Sequence, residues 1–300
     1  YLGGGGQGEV YRVTAAGKPM ALKWYYEPSA TETQRRILND LVKRGAPDSR
    51  FLWPEDLAIS TNQRDFGYLM ALRPDRYRSL VHLMTREVEP SFRSLATASY
   101  QLAHSFFQLH ANGLCYRDIS FGNVFFDPDT GEILVCDNDN VTTNGSQENT
   151  VWGTPRFIAP ELVRGDDGAR PNADTDLFSL AVLLFYMLMM HHPLEGEREN
   201  QIHCFDFAAM RNLYGVEPVF IFDPSDDSNR PVVGQHDNAL EFWKLYPQFL
   251  RDRFTEAFTA GIADPQNGRV RETVWRGDMI RLRDAIFYCG HCGAENIYDA

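Results

Sequence analysis

Tyr116-Arg117-Asp118-Ile119-Ser120-Phe121-Gly122-Asn123 is the stretch on which the reading of this chain turns. It follows residues 91–111, where Leu95, Ala98, Leu102, Phe106 and Leu109 recur at helical spacing. It precedes two short strands, 124–126 and 133–136, joined as a hairpin by the turn Asp127-Pro128-Asp129-Thr130-Gly131. An Asp and an Asn stand five residues apart between helix and hairpin. The bland reading is a polar turn, which the flanking pattern disfavours.

Working outward, the second strand ends at Cys136 and Asp137-Asn138-Asp139 follows. Far upstream, residues 3–10 read Gly-Gly-Gly-Gly-Gln-Gly-Glu-Val and fit G-x-G-x-x-G-x-V through Gly3, Gly5, Gly8 and Val10. Glycines without Cβ let backbone N–H groups approach phosphate oxygens. A strand rather than a helix follows them, which excludes the dinucleotide-binding version of the motif. A flexible linker has the same composition. Ala21-Leu22-Lys23 lies in the next predicted strand, 20–25. Burying an ammonium without a partner is costly, and a phosphate is a suitable partner; a solvent-facing edge lysine is the alternative.

The remaining chain organises around these points. Ser29 stands three residues before Glu32, a capping-box spacing, and predicts a helix that runs to Arg44 and stops at Gly45. Residues 66–72 predict a strand and Arg73-Pro74 a connector. The apolar run 177–190 is too short to span a bilayer and reads as a buried helix. Residues 193–238, rich in Pro, Asp, Asn and Gly, read as an ordered insertion or long loop. The chain divides into a β-rich part, 1–72, a helical part, 73–288, and a tail, 289–300. Its 300 residues carry a net charge of −12 and no basic block, which argues against nucleic-acid and membrane-surface partners. Five scattered cysteines do not form a disulfide framework and suit a reducing, cytoplasmic setting. There is no charged-then-apolar leader. The start within a glycine motif and the end soon after a Cys pair read as a piece of a longer protein.

With these residues in place, the 116–123 stretch resembles the protein-kinase catalytic loop H-R-D-L-x-x-x-N. Gly153-Thr154-Pro155-Arg156-Phe157-Ile158-Ala159-Pro160-Glu161 is similar to the end of a kinase activation segment, and Asp176-Leu177-Phe178-Ser179-Leu180-Ala181 to the family's D-x-W-S-x-G. In that family the Asp176 equivalent bonds the catalytic-loop backbone, and an Arg matching Arg269 pairs with the Glu matching Glu161. The likeness covers roughly residues 1–285. It implies a eukaryotic-like protein kinase of α+β class, with a bilobal fold of small β-rich N-lobe and larger helical C-lobe. It implies ATP and Mg²⁺ as cofactors. Lys23 would align the α- and β-phosphates, Asp118 would accept the substrate proton, and Asn123 and Asp137 would hold Mg²⁺. Gly3, Gly5, Gly8, Val10, Ala21, Met70 and Leu72 would surround the nucleotide, with the adenine on a hinge near 70–73. The implied partner is a protein substrate phosphorylated on Ser or Thr, together with a cognate phosphatase. Segments 51–54, 222–224 and 229–231 resemble a bacterial branch of tellurite-resistance-associated kinases. Arg117 would grip a phosphate on Thr142, Thr143, Ser146 or Thr150 of the activation loop.

The pattern is broken in places. Tyr116 replaces the usual His, Ser120 the usual Lys, and Asp-Asn-Asp the usual D-F-G. The helix partner of Lys23 is open between Glu32 and Gln34, with helical geometry and the capping box both turning Gln34 inward. These departures keep a pseudokinase, acting as a nucleotide- or partner-binding module, as a rival. A small-molecule kinase is a second rival, disfavoured by the 153–161 segment. Cys289 and Cys292, in a C-x-x-C-G pattern, are candidate Zn²⁺ ligands that begin a zinc ribbon completed beyond residue 300; a frayed tail with two free thiols is the alternative.

Overall fold

A computed structural model describes residues 1–61, 65–146 and 153–299. The N-terminal lobe is a five-stranded antiparallel sheet in the order β1-β2-β3-β5-β4. Its strands are β1 (Gly3–Gly4), β2 (Gly8–Ala15), β3 (Lys18–Tyr25), β4 (Asp56–Ile59) and β5 (Phe66–Ala71). One helix, α1 (Glu32–Arg44), crosses it. β3 is central and pairs Val10 with Lys23 on one side and Lys23 with Tyr68 on the other. Lys23 is therefore an inner-strand residue, not an edge one. A short 3₁₀ turn (Glu27–Ser29) precedes α1, and the cap is Thr31, whose side chain accepts from the Gln34 N–H. The expected Ser29–Glu32 box is thus displaced by two residues, because the 3₁₀ turn takes up Ser29. Gly45 ends α1 at φ 75°, a backbone state glycine adopts without a Cβ penalty.

The C-terminal lobe begins with β6 (Arg78–Ser79), α2 (Leu80–Met84) and α3 (Phe92–Ala111). Then come β7 (Leu114–Cys115), the hairpin β8 (Val124–Phe126) and β9 (Ile133–Val135), and β10 (Thr142–Thr143). The helices α4 (Pro160–Arg164), α5 (Ala173–Met189), α6 (Glu197–Asn200), α7 (Phe207–Arg211), α8 (Asp237–Leu245), α9 (Gln248–Phe258), α10 (Ala260–Ala263) and α11 (Glu272–Asp284) complete the lobe. The tail folds as a two-stranded pair, β11 (Ile286–Tyr288) with β12 (Glu295–Ile297).

Residues 175–189 of α5 are all buried, the mark of a central core helix apolar all round. Around it gather Phe106, Phe254, Phe258 and Trp275 in one continuous core. A smaller core beneath the sheet joins Tyr25, Leu38, Leu52, Phe66, Tyr68 and Met70. The bilobal α+β arrangement is the expected one. No described helix is long and apolar enough to cross a membrane.

Candidate active site

The two lobes meet at a cleft of about 650 Å³, lined from above by the sheet and from below by the β8–β9 hairpin region. Gly3, Gly5, Gly8, Val10, Ala21, Lys23, Met70 and Leu72 line it, and so do Asp118, Asn123 and Asp137. The glycines divide by role. A Cβ on Gly3 or Gly5 would meet nothing within 4 Å, so both present bare backbone to open space. A Cβ on Gly8 would lie 2.2 Å from the Trp24 carbonyl oxygen; that glycine lets β2 close on β3.

Two backbone positions aim the lower half. Arg117 (φ 75°) and Asp137 (φ 57°) both adopt left-handed conformations without being glycine. Such conformations persist where the surroundings over-determine them, and the surroundings here do so. Both backbone N–H groups of Tyr116 and Arg117 donate to the Asp176 carboxylate, at 2.5 and 2.9 Å. The Tyr116 hydroxyl donates to the Cys136 carbonyl, the peptide leading into Asp137. Asn138, fully buried, donates to the Leu52 and Val135 carbonyls at 2.9 and 3.0 Å. It fills with hydrogen bonds the place that a phenylalanine would fill by packing.

Within this frame Asn123 Nδ2 donates to the Asp118 carbonyl at 2.8 Å. Its amide nitrogen is committed, so its oxygen is the atom left for a cation. Asp118 Oδ1 accepts from the Thr154 hydroxyl at 2.6 Å. Lys23 is 5% exposed and its Nζ lies 2.5 Å from Asp137 Oδ1 and 3.0 and 2.9 Å from the two oxygens of Asp139. Burial would lower its pKa, but the Asp139 and Asp137 charges outweigh that and raise it. Burial pushes the Asp137 carboxyl up, to about 6, with the Asp139 charge adding to it against Lys23. Burial also acts on Asp139, but the Lys23 ammonium and the Tyr25 hydroxyl hold it below the usual carboxylate range.

The model of the protein kinase domain matches residues 1–244. The chain belongs to the protein kinase family. It is 36% identical to Protein kinase C-like 1 of Caenorhabditis elegans over 98 residues, 31% of this chain and 13% of that protein. It is 29% identical to the Cell cycle serine/threonine-protein kinase CDC5/MSD2 of Saccharomyces cerevisiae over 148 residues, 45% of this chain and 20% of that protein. The broadest of these alignments, with Probable serine/threonine-protein kinase CCRP1 of Zea mays, is 27% identical over 270 residues, 83% of this chain and 42% of that protein. The kinase thus spans less than half the length of each of these relatives, all of them eukaryotic.

One expectation about the kinase site is corrected. Lys23 is paired neither with Glu32, which is exposed, nor with Gln34. Gln34 does point inward, but it donates to the Asp139 carbonyl at 2.9 Å and to the Tyr25 hydroxyl at 3.3 Å. The amide that touches Lys23 is that of Gln7, on the glycine-rich loop, at 3.1 Å. Gln7 also donates to Asn140 Oδ1 at 3.1 Å. Among the described residues no group of three or more His, Cys, Asp or Glu side chains is placed to hold a metal, around Cys289 and Cys292 or elsewhere. The two cysteines sit at the β11–β12 turn, closed by Cys289 N–H to the Ala294 carbonyl at 2.8 Å. Of the activation-loop hydroxyls, Thr142 is buried in the β7–β10 pair, while Thr143 is exposed; Thr150 lies outside the described residues. Arg117 Nη2 donates to the Ser146 carbonyl at 2.6 Å. Asp139, Tyr25, Tyr68, Gln7 and Asn140 went unread in the sequence. The carboxylate at 139, flanked by Asn138 and Asn140, and Tyr25, two residues after Lys23, were signals only once β3 and the 137–140 turn were juxtaposed.

Proposed function

We propose that the chain is an ATP-dependent protein kinase that transfers the γ-phosphate to Ser or Thr hydroxyls of a protein substrate. The observation that carries this reading is the gathering of Lys23, Asp118, Asn123 and Asp137 on one cleft roofed by bare glycine backbone. Phosphoryl transfer needs mainly positioning and charge neutralisation. Asp137 and the free oxygen of Asn123 offer hard donors suited to Mg²⁺, which when bound neutralises phosphate charge. Lys23 contributes a fixed cation to the non-transferred phosphates. Asp118, steadied by Thr154, accepts the proton of the attacking hydroxyl. Val10, Ala21, Met70 and Leu72 supply the apolar walls for a base. The names of the yeast and maize relatives support Ser/Thr as the acceptor class.

The test is transfer of label from γ-labelled ATP, with Mg²⁺, to a generic Ser/Thr-rich protein acceptor. Label should appear on Ser or Thr and fall about 10²–10⁴-fold in Asp118→Asn. Label no greater in the native chain than in Asp118→Asn would overturn the reading. Nucleotide binding without transfer would instead establish the nucleotide-binding module that Ser120, standing where a second phosphate cation is usual, motivates.

A further inference from the structure

We infer that Asp139 is the positioning residue for Lys23, supplying from the metal-site turn the carboxylate that α1 does not bring to it. This rests on the nucleotide-cleft reading above and deepens it. Asp139 is fully buried, and its two oxygens are spent on the sheet above it. Both accept from Lys23 Nζ, at 3.0 and 2.9 Å. One also accepts from the Tyr68 hydroxyl at 3.2 Å and the other from the Tyr25 hydroxyl. A buried carboxylate so completely partnered is held in one orientation, and it holds the ammonium in turn.

The side chain at position 34 is the complement of this arrangement. Gln34 Nε2 donates to the Asp139 carbonyl and to the same Tyr25 hydroxyl that serves the Asp139 side chain. A carboxylate at 34 would face a second, buried carboxylate one hydroxyl away, and like charges at that range disfavour each other. An amide fits because it donates. Amide at 34 and carboxylate at 139 are therefore a matched pair, the one donating where the other is already saturated as an acceptor.

The pair has a functional consequence. Lys23 bridges Asp137 and Asp139. A cation that takes Asp137 removes one partner from Lys23, and Asp139 remains to fix the ammonium. Without Asp139, Lys23 and a metal compete for Asp137 alone. Because Asp137 and Asp139 belong to one short turn with Asn138 and Asn140, ammonium and metal carboxylate are set by that turn, which Gln34 of α1 braces at the Asp139 carbonyl.

The test is an isosteric swap in the whole chain: Asp139→Asn, Gln34→Glu, and the double variant. Each is measured for MgATP affinity by calorimetry, for turnover at saturating ATP and for its Mg²⁺ dependence. Thermal melting confirms that each is folded. Asp139→Asn should lose about ten- to a hundredfold in turnover and need about tenfold more Mg²⁺, the strength of a hydrogen bond to a charged group. Gln34→Glu alone should lose about tenfold. The double variant, which restores one carboxylate and one amide, should return to within about threefold of the native chain. Should Asp139→Asn melt below the assay temperature, the double variant alone decides. Native turnover and native Mg²⁺ dependence in Asp139→Asn, or a double variant no better than the worse single one, would overturn the inference. If the native chain binds MgATP without transferring phosphate, the same order is expected in MgATP affinity, so failure of the kinase reading stays distinct from failure of this one. If the native chain binds no MgATP, both are overturned.

Discussion

Tyr116 shows how one side chain can take over two tasks. It is fully buried, its ring packs edge-on to Phe106 at 5.5 Å, and its hydroxyl reaches the Cys136 carbonyl. The family's usual His has been replaced by a residue that ties the catalytic loop to the peptide before Asp137. Tyr116→Phe keeps the ring and leaves a carbonyl without its donor, so it should cost about 1–3 kcal/mol. Chemical denaturation of the two proteins measures that loss; equal midpoints would show that the hydroxyl contributes nothing. At this scale Asp118, Asn123 and Asp137 were readable because their motif is contiguous or nearly so. Asp139 was not, since its partner lies 116 residues away and the expected carboxylate was sought on α1. The substitution of the D-F-G glycine by Asp was visible as a departure, but its use depends on how β3 sits over the turn.

Strand β3 is squeezed from both sides by glycine. Gly8 on β2 faces the Trp24 carbonyl, and a Cβ on Gly67 of β5 would come within 2.2 Å of the Lys23 carbonyl. These contacts let both neighbours close on the strand that carries Lys23. Gly67→Ala must push β5 from β3, and overpacking of this kind costs about 1–3 kcal/mol. The readout is a lower melting temperature together with weaker MgATP binding, because the displaced strand carries the phosphate-aligning ammonium. An unchanged affinity would mean that β3 is positioned by other contacts. Elements with strong periodicity, such as α1, α3 and α5, were legible in outline. β4 was not, being four residues long with no buried face. Residues 193–238 read as an ordered insertion or long loop because Leu194, Leu213, Phe220 and Ile221 enter the core without a regular period, and buried polar contacts add to them. Asn229, fully buried, donates to the Leu194 and Val219 carbonyls at 2.9 and 2.7 Å. No hydrophobic pattern announces such a residue.

Across the molecule, His110 joins three distant elements. From the end of α3 it contacts Asp176 of α5 at 3.2 Å and Glu272 at the start of α11. Burial would depress its pKa, but the Asp176 and Glu272 carboxylates outweigh this and raise it to about 9. The folded value lies above the free one of about 6.5. The stabilisation is therefore fully present below pH 6.5 and is lost as pH rises through 9. The loss should be on the order of 2–3 kcal/mol. Denaturation midpoints across pH 6–10 should fall in the native protein and stay flatter over that window in His110→Gln. Parallel curves would place the titration elsewhere. Asp176 also accepts the catalytic-loop N–H groups, so the same cluster couples the C-lobe core to the site. The second long-range tie, Arg269 to Glu161 at 2.7 and 2.8 Å, was expected from the family resemblance. The link through His110 was not, because three residues so far apart in sequence give no local pattern.

A crystal structure with Mg²⁺ and a non-hydrolysable ATP analogue tests the central claim most directly. The account predicts the metal on Asp137 and Asn123, the phosphates against Lys23 beneath the glycine-rich strand, and Lys23 still bonded to Asp139. A triphosphate seated outside that cleft, or a metal held by other side chains, would contradict it.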